Sequence, residues 1–172
     1  MQVIVMNSKV TIRKGELRDV KAMHSLVVEL ATFENAAHEV TNTIEEMERD
    51  GFGSVPAFEF LVAETAEGII GVAVYFIKYS TWKGKSVYLD DIVVRHSFRR
   101  QGIGTLLFNA LIGECEKLQA KQLHWQVLDW NEQAITFYKK YHASFDDEWI
   151  DCKLSAKQLQ EFKLNSLRNE GI

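Results

Sequence analysis

The sequence predicts an α/β (α+β) fold, one mixed sheet flanked by helices. Two observations carry it. Segments with a 3.6-residue apolar period alternate along the chain with short segments of period two. The composition is that of an ordinary folded domain, 47% apolar and 26% charged, with one proline and no low-complexity stretch.

In chain order, residues 10–14 read as a strand. Residues 15–19 lead into a helix that runs to about residue 34, and Val20, Met23, Leu26, Val27, Leu30 and Ala31 keep its period. Residues 41 to about 50 read as a second helix, capped by Thr41 and ended by Gly51. Residues 58–63 and 69–78 read as strands joined by a turn at Glu67-Gly68, and 85–94 as a third strand of that set. Residues 102–119 form an amphipathic helix with Ile103, Leu106, Leu107, Ala110, Leu111 and Leu118 on one face. Over 122–128, Leu123, Trp125 and Val127 alternate with His124 and Gln126, a strand pattern. Residues 131–141 read as a helix and 149–154 as a last strand, and Ser155 caps a closing helix. With 172 residues, no linker and no repeat, residues 1–172 are expected to form a single domain.

The bulk numbers narrow the function classes. A net charge of −4 lacks the basic footprint of a nucleic-acid binder. Cys115 and Cys152 have no metal-ligand spacing, so no metal is expected and both thiols are read as reduced. Residues 1–9 carry an apolar run too short for a signal peptide. No stretch approaches the ~20 apolar residues of a membrane helix. A cytoplasmic protein without membrane or nucleic-acid partners is expected.

The segment Val93-Val94-Arg95-His96-Ser97-Phe98-Arg99-Arg100-Gln101-Gly102-Ile103-Gly104 leads from a strand end into a helix start. Its glycines let backbone approach a ligand closely. The first helical turn offers unpaired N–H groups backed by the positive end of the helix dipole. Arg99 and Arg100 add charge, which together describes a pyrophosphate site. The same residues also suit a tight strand-to-helix turn with solvent-facing arginines. Downstream, Asn131 is a helix cap that could also hold an amide-bearing ligand arm. Tyr138 lies two helical turns on and shares its face. A tyrosine hydroxyl there could protonate a departing thiolate, or Phe137 and Tyr138 could be core aromatics.

Together these segments resemble the GNAT superfamily of acetyl-CoA-dependent N-acetyltransferases. Phe33-Glu34, Asp50-Gly51-Phe52-Gly53, Pro56, Phe60 to Glu64, Val87 to Val94, Gly102-Ile103-Gly104 and Asp129-Trp130-Asn131-Glu132 are similar, in order, to the spermidine/spermine (diamine) acetyltransferases and their thialysine-acetylating relatives. The resemblance implies a mostly antiparallel central sheet, splayed where acetyl-CoA, the co-substrate, binds. It implies acetyl transfer to the primary amine of a diamine, a polyamine or a thialysine- or lysine-like amino acid, by a homodimer.

Residue by residue, the resemblance implies that the backbone of Ile92, Val93 and Val94 meets the pantetheine arm and thioester. Arg99, Arg100, Gln101, Gly102, Ile103, Gly104 and Thr105 would hold the pyrophosphate, and Asn131 and Ala134 would touch the CoA arm. Tyr138 would be the general acid. Asp90 stands where the family has a glutamate beside the acceptor amine. Phe33, Glu34, Asp90 and Asp91, with His124, Trp125 and Gln126, would line the amine channel. Tyr141 stands where the polyamine enzymes carry an arginine, so the acceptor stays open between the two amine classes.

In this reading Asp90 or Asp91, directly or through water, takes the proton that an alkylammonium of reference pKa ~10.4 must lose. Strand alternation sends the two aspartates to opposite sheet faces, so one of them serves the site. Two other functions fit the same residues. One is a non-catalytic acyl-CoA-binding sensor; the other is a protein or peptide N-acetyltransferase. An amine panel in a thiol-release assay separates the sensor from an enzyme.

Overall fold

A computed structural model describes the backbone of residues 2–5 and 8–169, with side chains over 9–163. Its contacts divide the chain into two compact units, Met1–Gln126 and Val127–Ile172.

In the first unit, six described strands lie in the order of the chain: β1 (Gln2–Val5), β2 (Ser8–Lys14), β3 (Glu59–Thr65), β4 (Gly68–Ser80), β5 (Gly84–Val94) and β6 (Gln122–His124). Neighbours are antiparallel except β5 and β6, which run parallel. Antiparallel neighbours need only short turns, whereas the parallel step from β5 to β6 requires a crossover. Helix α3 (Ile103–Lys117) supplies it.

Helices α1 (Val20–Phe33) and α2 (Ile44–Phe52) cover one face of the sheet. Val20, Met23, Leu26 and Met47 form a buried cluster there with Phe60, Val62, Val72, Val74 and Val93. Helix α3 covers the opposite face with buried Ile103, Leu107, Phe108 and Leu111. A Cβ added at Gly71, next along β4 from Val72, would point at Leu107. The turn into α1 is held by Arg13, whose guanidinium pairs with Asp19 at 2.6 Å and Glu64 at 2.8 Å. Gly15 lies so close beneath Phe60 that an added Cβ would fall 2.1 Å from its ring.

Four expectations are corrected. Part of residues 1–9, to which no element was assigned, forms β1 and pairs with β2. Helix α2 starts after Thr43, not Thr41. A capping box needs a glutamate three residues on, and Thr43 has Glu46, with Glu46 N–H to Thr43 Oγ1 at 3.2 Å and Thr43 N–H to Glu46 Oε2 at 2.9 Å. The helix also runs through Gly51, over which Phe58 packs, and ends at Gly53. The strand expected over 122–128 stops at His124, where its ladder with β5 stops.

The second unit holds α4 (Glu132–Lys139) and α5 (Ala156–Asn169). Asn131 caps α4, its Oδ1 accepting from Ala134 N–H at 3.1 Å. Ser155 Oγ accepts from Gln158 N–H at 3.3 Å, capping α5. Residues 149–154 form no strand, the fourth correction. An extended segment becomes a strand only when a neighbour takes up its N–H and C=O groups, and the described ladders of the sheet do not include this one. No described helix is long and apolar enough to cross a membrane.

Candidate active site

The loop from β5 to α3 is shaped for an anion. Arg100 and Gly102 both adopt the left-handed conformation, at φ 60 and φ 81. A non-glycine residue there is uncommon and marks a constrained turn. Gly102 is the N-cap of α3 and no side chain caps it. The first-turn N–H groups therefore have no intrahelical acceptor and none from an N-cap side chain, while Leu106 N–H closes the first helical bond onto Gly102 O at 3.1 Å. An added Cβ at Gly102 or Gly104 would meet no protein atom within 4 Å, so the space before the helix end is open. Such a terminus, dipole behind it, fits a pyrophosphate.

The two arginines differ. Arg99 is committed to the protein. Its Nε donates to Val94 O at 2.9 Å, its guanidinium lies 5.4 Å over the Phe33 ring, and Nη2 is 3.7 Å from Glu29. His96 N–H donates to the same Glu29 at 2.8 Å. The loop is thereby tied to α1. Gln101 turns back to Ser97 O at 3.3 Å, and its buried Oε1 has no partner among the described residues.

The sheet itself opens beside this loop. β5 pairs with β6 only over Ser86–Gln122, Val87–Leu123 and Tyr88–His124. From Leu89 to Val94 it keeps β4 on one edge, and its other edge carries no described ladder. Backbone groups of Ile92, Val93 and Val94 along that edge suit an amide-bearing ligand arm.

The divergence begins at a bulge. Val74 pairs with Asp91 while the next residue, Tyr75, pairs with Leu89, which leaves Asp90 as the extra residue. Paired residues share a face, so Asp91 stands with Val74 and Val93 on the α1 side. The alternation that would have separated Asp90 from Asp91 is cancelled here. Asp91 feels the charges of both Asp90 and Glu34. Burial, reinforced by those two carboxylates, pushes Asp91 up to about 7. Burial also raises Asp90, whose side chain keeps an exposed edge, and Glu34 at the end of α1. Three carboxylates with raised pKa values thus converge where the sheet opens.

Of the strand residues expected in the amine channel, alternation divides the set. His124 packs edge-on against Tyr88 at 5.2 Å, and Gln126 Oε1 accepts from Tyr88 Oη at 2.9 Å. Trp125 turns the other way, edge-on to Phe108 of α3 at 5.5 Å. In the second unit, Asn131 and Ala134 are joined by the cap of α4, and Tyr138 is buried with its ring edge-on to Phe137 at 5.3 Å. Sequence reasoning missed Glu29 and the bulge. Two adjacent acids inside an apolar strand were a signal for the bulge; nothing in the α1 pattern marked Glu29.

The family model described as the acetyltransferase (GNAT) family matches residues 22–143. The chain is 33% identical over 161 residues to a thialysine N-epsilon-acetyltransferase of Mus musculus, covering 87% of this chain and 95% of the mouse protein. It is 32% identical over 158 residues to the spermidine/spermine N(1)-acetyltransferase-like protein 1 of Homo sapiens, covering 86% of this chain and 23% of the human one. An integron cassette protein from the mobile metagenome of V. cholerae shares the fold, with a TM-score of 0.73 at 20% identity over 90% of this chain and 97% of that one. The chain belongs to the acetyltransferase (GNAT) family and is an acetyl-CoA-dependent N-acetyltransferase.

Proposed function

We propose that the protein acetylates the primary amine of a small molecule, a diamine, polyamine or lysine-like amino acid. The observation that carries this reading is the convergence of Glu34, Asp90 and Asp91 beside the open edge of β5. A carboxylate cluster attracts a cationic amine, and a carboxyl near neutrality can both release and accept a proton at working pH.

Acetyl-CoA supplies an acetyl group activated as a thioester. The N–H groups of residues 100–105 hold its pyrophosphate, and Ile92 to Val94 hold the arm through their backbone. Asn131 and Ala134 contribute from α4. Arg99 positions the loop against Glu29 and Phe33. Asp91, with Asp90 beside it, takes one proton from the acceptor ammonium, whose reference pKa is ~10.4. Asp90, the acid singled out by the resemblance, helps to hold Asp91 high enough to act as a base. A new N–C bond forms as the C–S bond breaks, and the Tyr138 hydroxyl delivers a proton to the departing sulfur. Two protons leave the nitrogen: the one taken by Asp91 passes to solvent, and the one lost as the N–C bond forms replaces the proton that Tyr138 gives to sulfur, with no covalent enzyme intermediate.

The same reading takes the chain as one acetyltransferase domain, homodimeric and cytoplasmic, on the strength of the family resemblance. Thiol release measured with a panel of diamines, polyamines, basic amino acids and peptides tests the acceptor. Turnover of peptides alone would overturn the small-amine reading.

A further inference from the structure

Between Val94, the last residue of β5, and Gly102, the N-cap of α3, residues 95–101 must hold one shape if the first-turn N–H groups of α3 are to face an anion. Most of their fastenings are short-range. Phe98 N–H donates to Arg95 O at 2.8 Å and Arg99 N–H to His96 O at 3.2 Å, which closes the single helical turn His96–Phe98. Gln101 reaches back to Ser97 O at 3.3 Å, and Arg95 N–H ties the start of the loop to Ile70 O of β4 at 2.8 Å. Bonds of this kind shape a turn without aiming it. The contacts that aim this one come from α1.

Glu29 supplies the polar ones. Its Oε1 accepts from His96 N–H at 2.8 Å and lies 3.7 Å from Arg99 Nη2. His96 opens a turn whose N-cap, Arg95, makes no side-chain cap, so a carboxylate from another element takes that N–H in a charge-assisted bond. Phe33 lies one helical turn after Glu29 on the same face of α1, and the Arg99 guanidinium rests 5.4 Å over its ring. Arg99 Nε also donates to Val94 O at 2.9 Å, so one arginine joins sheet, loop and helix. The Arg99 and Glu29 side chains are only 27% and 28% exposed, and a pair so sheltered is screened less than a surface one. Arg100 follows directly at φ 60, a strained conformation that persists only where neighbouring contacts enforce it.

We propose that Glu29 is a positioning residue for the coenzyme. Without touching it, the carboxylate holds His96 and Arg99 so that Arg100 and Gly102 keep their left-handed turns and the first-turn N–H groups of α3 stay aimed at the pyrophosphate. Released from Glu29, the loop samples other shapes, and the apparent affinity falls in proportion to the fraction that stays competent. Bound coenzyme restores the same loop, so the chemical step is unchanged. This role rests on the reading of the loop as the pyrophosphate site.

The test compares wild type with Glu29→Ala and Glu29→Gln. Alanine is the best helix former and Glu29 is only half-buried, so Glu29→Ala keeps α1, which thermal unfolding checks. Calorimetry with CoA should show Kd raised roughly 10- to 100-fold in Glu29→Ala, the worth of hydrogen bonds to a charged group. Glu29→Gln keeps an oxygen for His96 N–H and should recover part of that loss. In turnover with spermidine or L-lysine, whichever wild type acetylates faster, the loss should sit in the KM for acetyl-CoA, with kcat within a factor of about 3. S-Acetylpantetheine carries the acetyl thioester without a pyrophosphate, and its kcat/KM should stay within that factor in both variants. An unchanged CoA Kd in Glu29→Ala would overturn the role. So would an equal fall with S-acetylpantetheine, which would place Glu29 at the amine or in the fold. If Gly102→Val abolishes CoA binding while Glu29→Ala leaves it unchanged, only the Glu29 role fails; if Gly102→Val leaves it unchanged, the pyrophosphate reading fails with it.

Discussion

Asp91 lies opposite Val74 in the β4–β5 ladder, although Leu89, two residues earlier, lies opposite Tyr75 on the other face of the sheet. The extra residue between them, Asp90, moves Asp91 to the side of α1, where Glu34 ends the helix.

This placement gives the first prediction. A base must be ionised to act, and Asp91 is held up to about 7. kcat/KM should therefore rise with pH through an apparent value near 7, well above the ordinary carboxylate range. Asp91→Asn should lower it by roughly 10²–10⁴, the usual worth of acid–base catalysis, and remove that inflection. A wild-type profile flat from pH 6 to 8 with chemistry rate-limiting would remove Asp91 from the base role.

The same group governs stability. Its folded pKa of about 7 exceeds the ordinary 3.8, so between those values the folded state binds more proton than the unfolded one. Stability from this group is full below the lower value, falls as pH rises toward 7, and levels off beyond it. Asp90 and Glu34, also raised, act in the same direction. Asp91→Asn should raise Tm relative to wild type at pH 8 and show little advantage near pH 4. Thermal unfolding followed across that range checks the sign.

At the loop, Gly102 holds φ 81 with open space around the position of a Cβ. Gly102→Val should abolish measurable CoA binding in calorimetry, because the side chain enters the space a phosphate needs and the backbone is strained by about 1–2 kcal/mol. Gly104→Ala meets no protein atom within 4 Å and is not at positive φ, so its melting temperature should stay near wild type. Unchanged CoA affinity in Gly102→Val would sink the phosphate assignment.

For Tyr138, phenylalanine removes the hydroxyl and keeps the ring that packs on Phe137. Tyr138→Phe should lower kcat by roughly 10²–10⁴ with little change in CoA affinity. A kcat within a factor of about 3 of wild type, with chemistry rate-limiting, would make Tyr138 a packing residue.

Homodimer formation is checked by sedimentation at micromolar concentration. A monomer under those conditions, with activity retained, would count against it.

The features legible in the sequence are local ones. The glycine loop into α3, the Asn131 cap of α4 and the apolar stripe of α1 each depend on residues within a turn or two, because helix periodicity and capping are short-range. Even the α2 cap is written locally, as Thr43 followed by Glu46, the capping-box spacing that Thr41, three residues before Ile44, lacks.

What the sequence by itself determined is therefore the α+β class, the family and the glycine turn into α3, since each is written in contiguous residues. Only the tertiary structure decided that Asp91 stands on the α1 side of the sheet, because a register shift depends on which residue of β4 stands opposite. It alone decided that Arg99 braces the loop through Glu29 and Phe33, far apart in the chain. It also decided that His124 and Trp125 part to opposite faces and that Lys78 reaches back over Tyr88. Each of these contacts joins segments ten or more residues apart, and strand pairing and packing, not local propensity, bring them together.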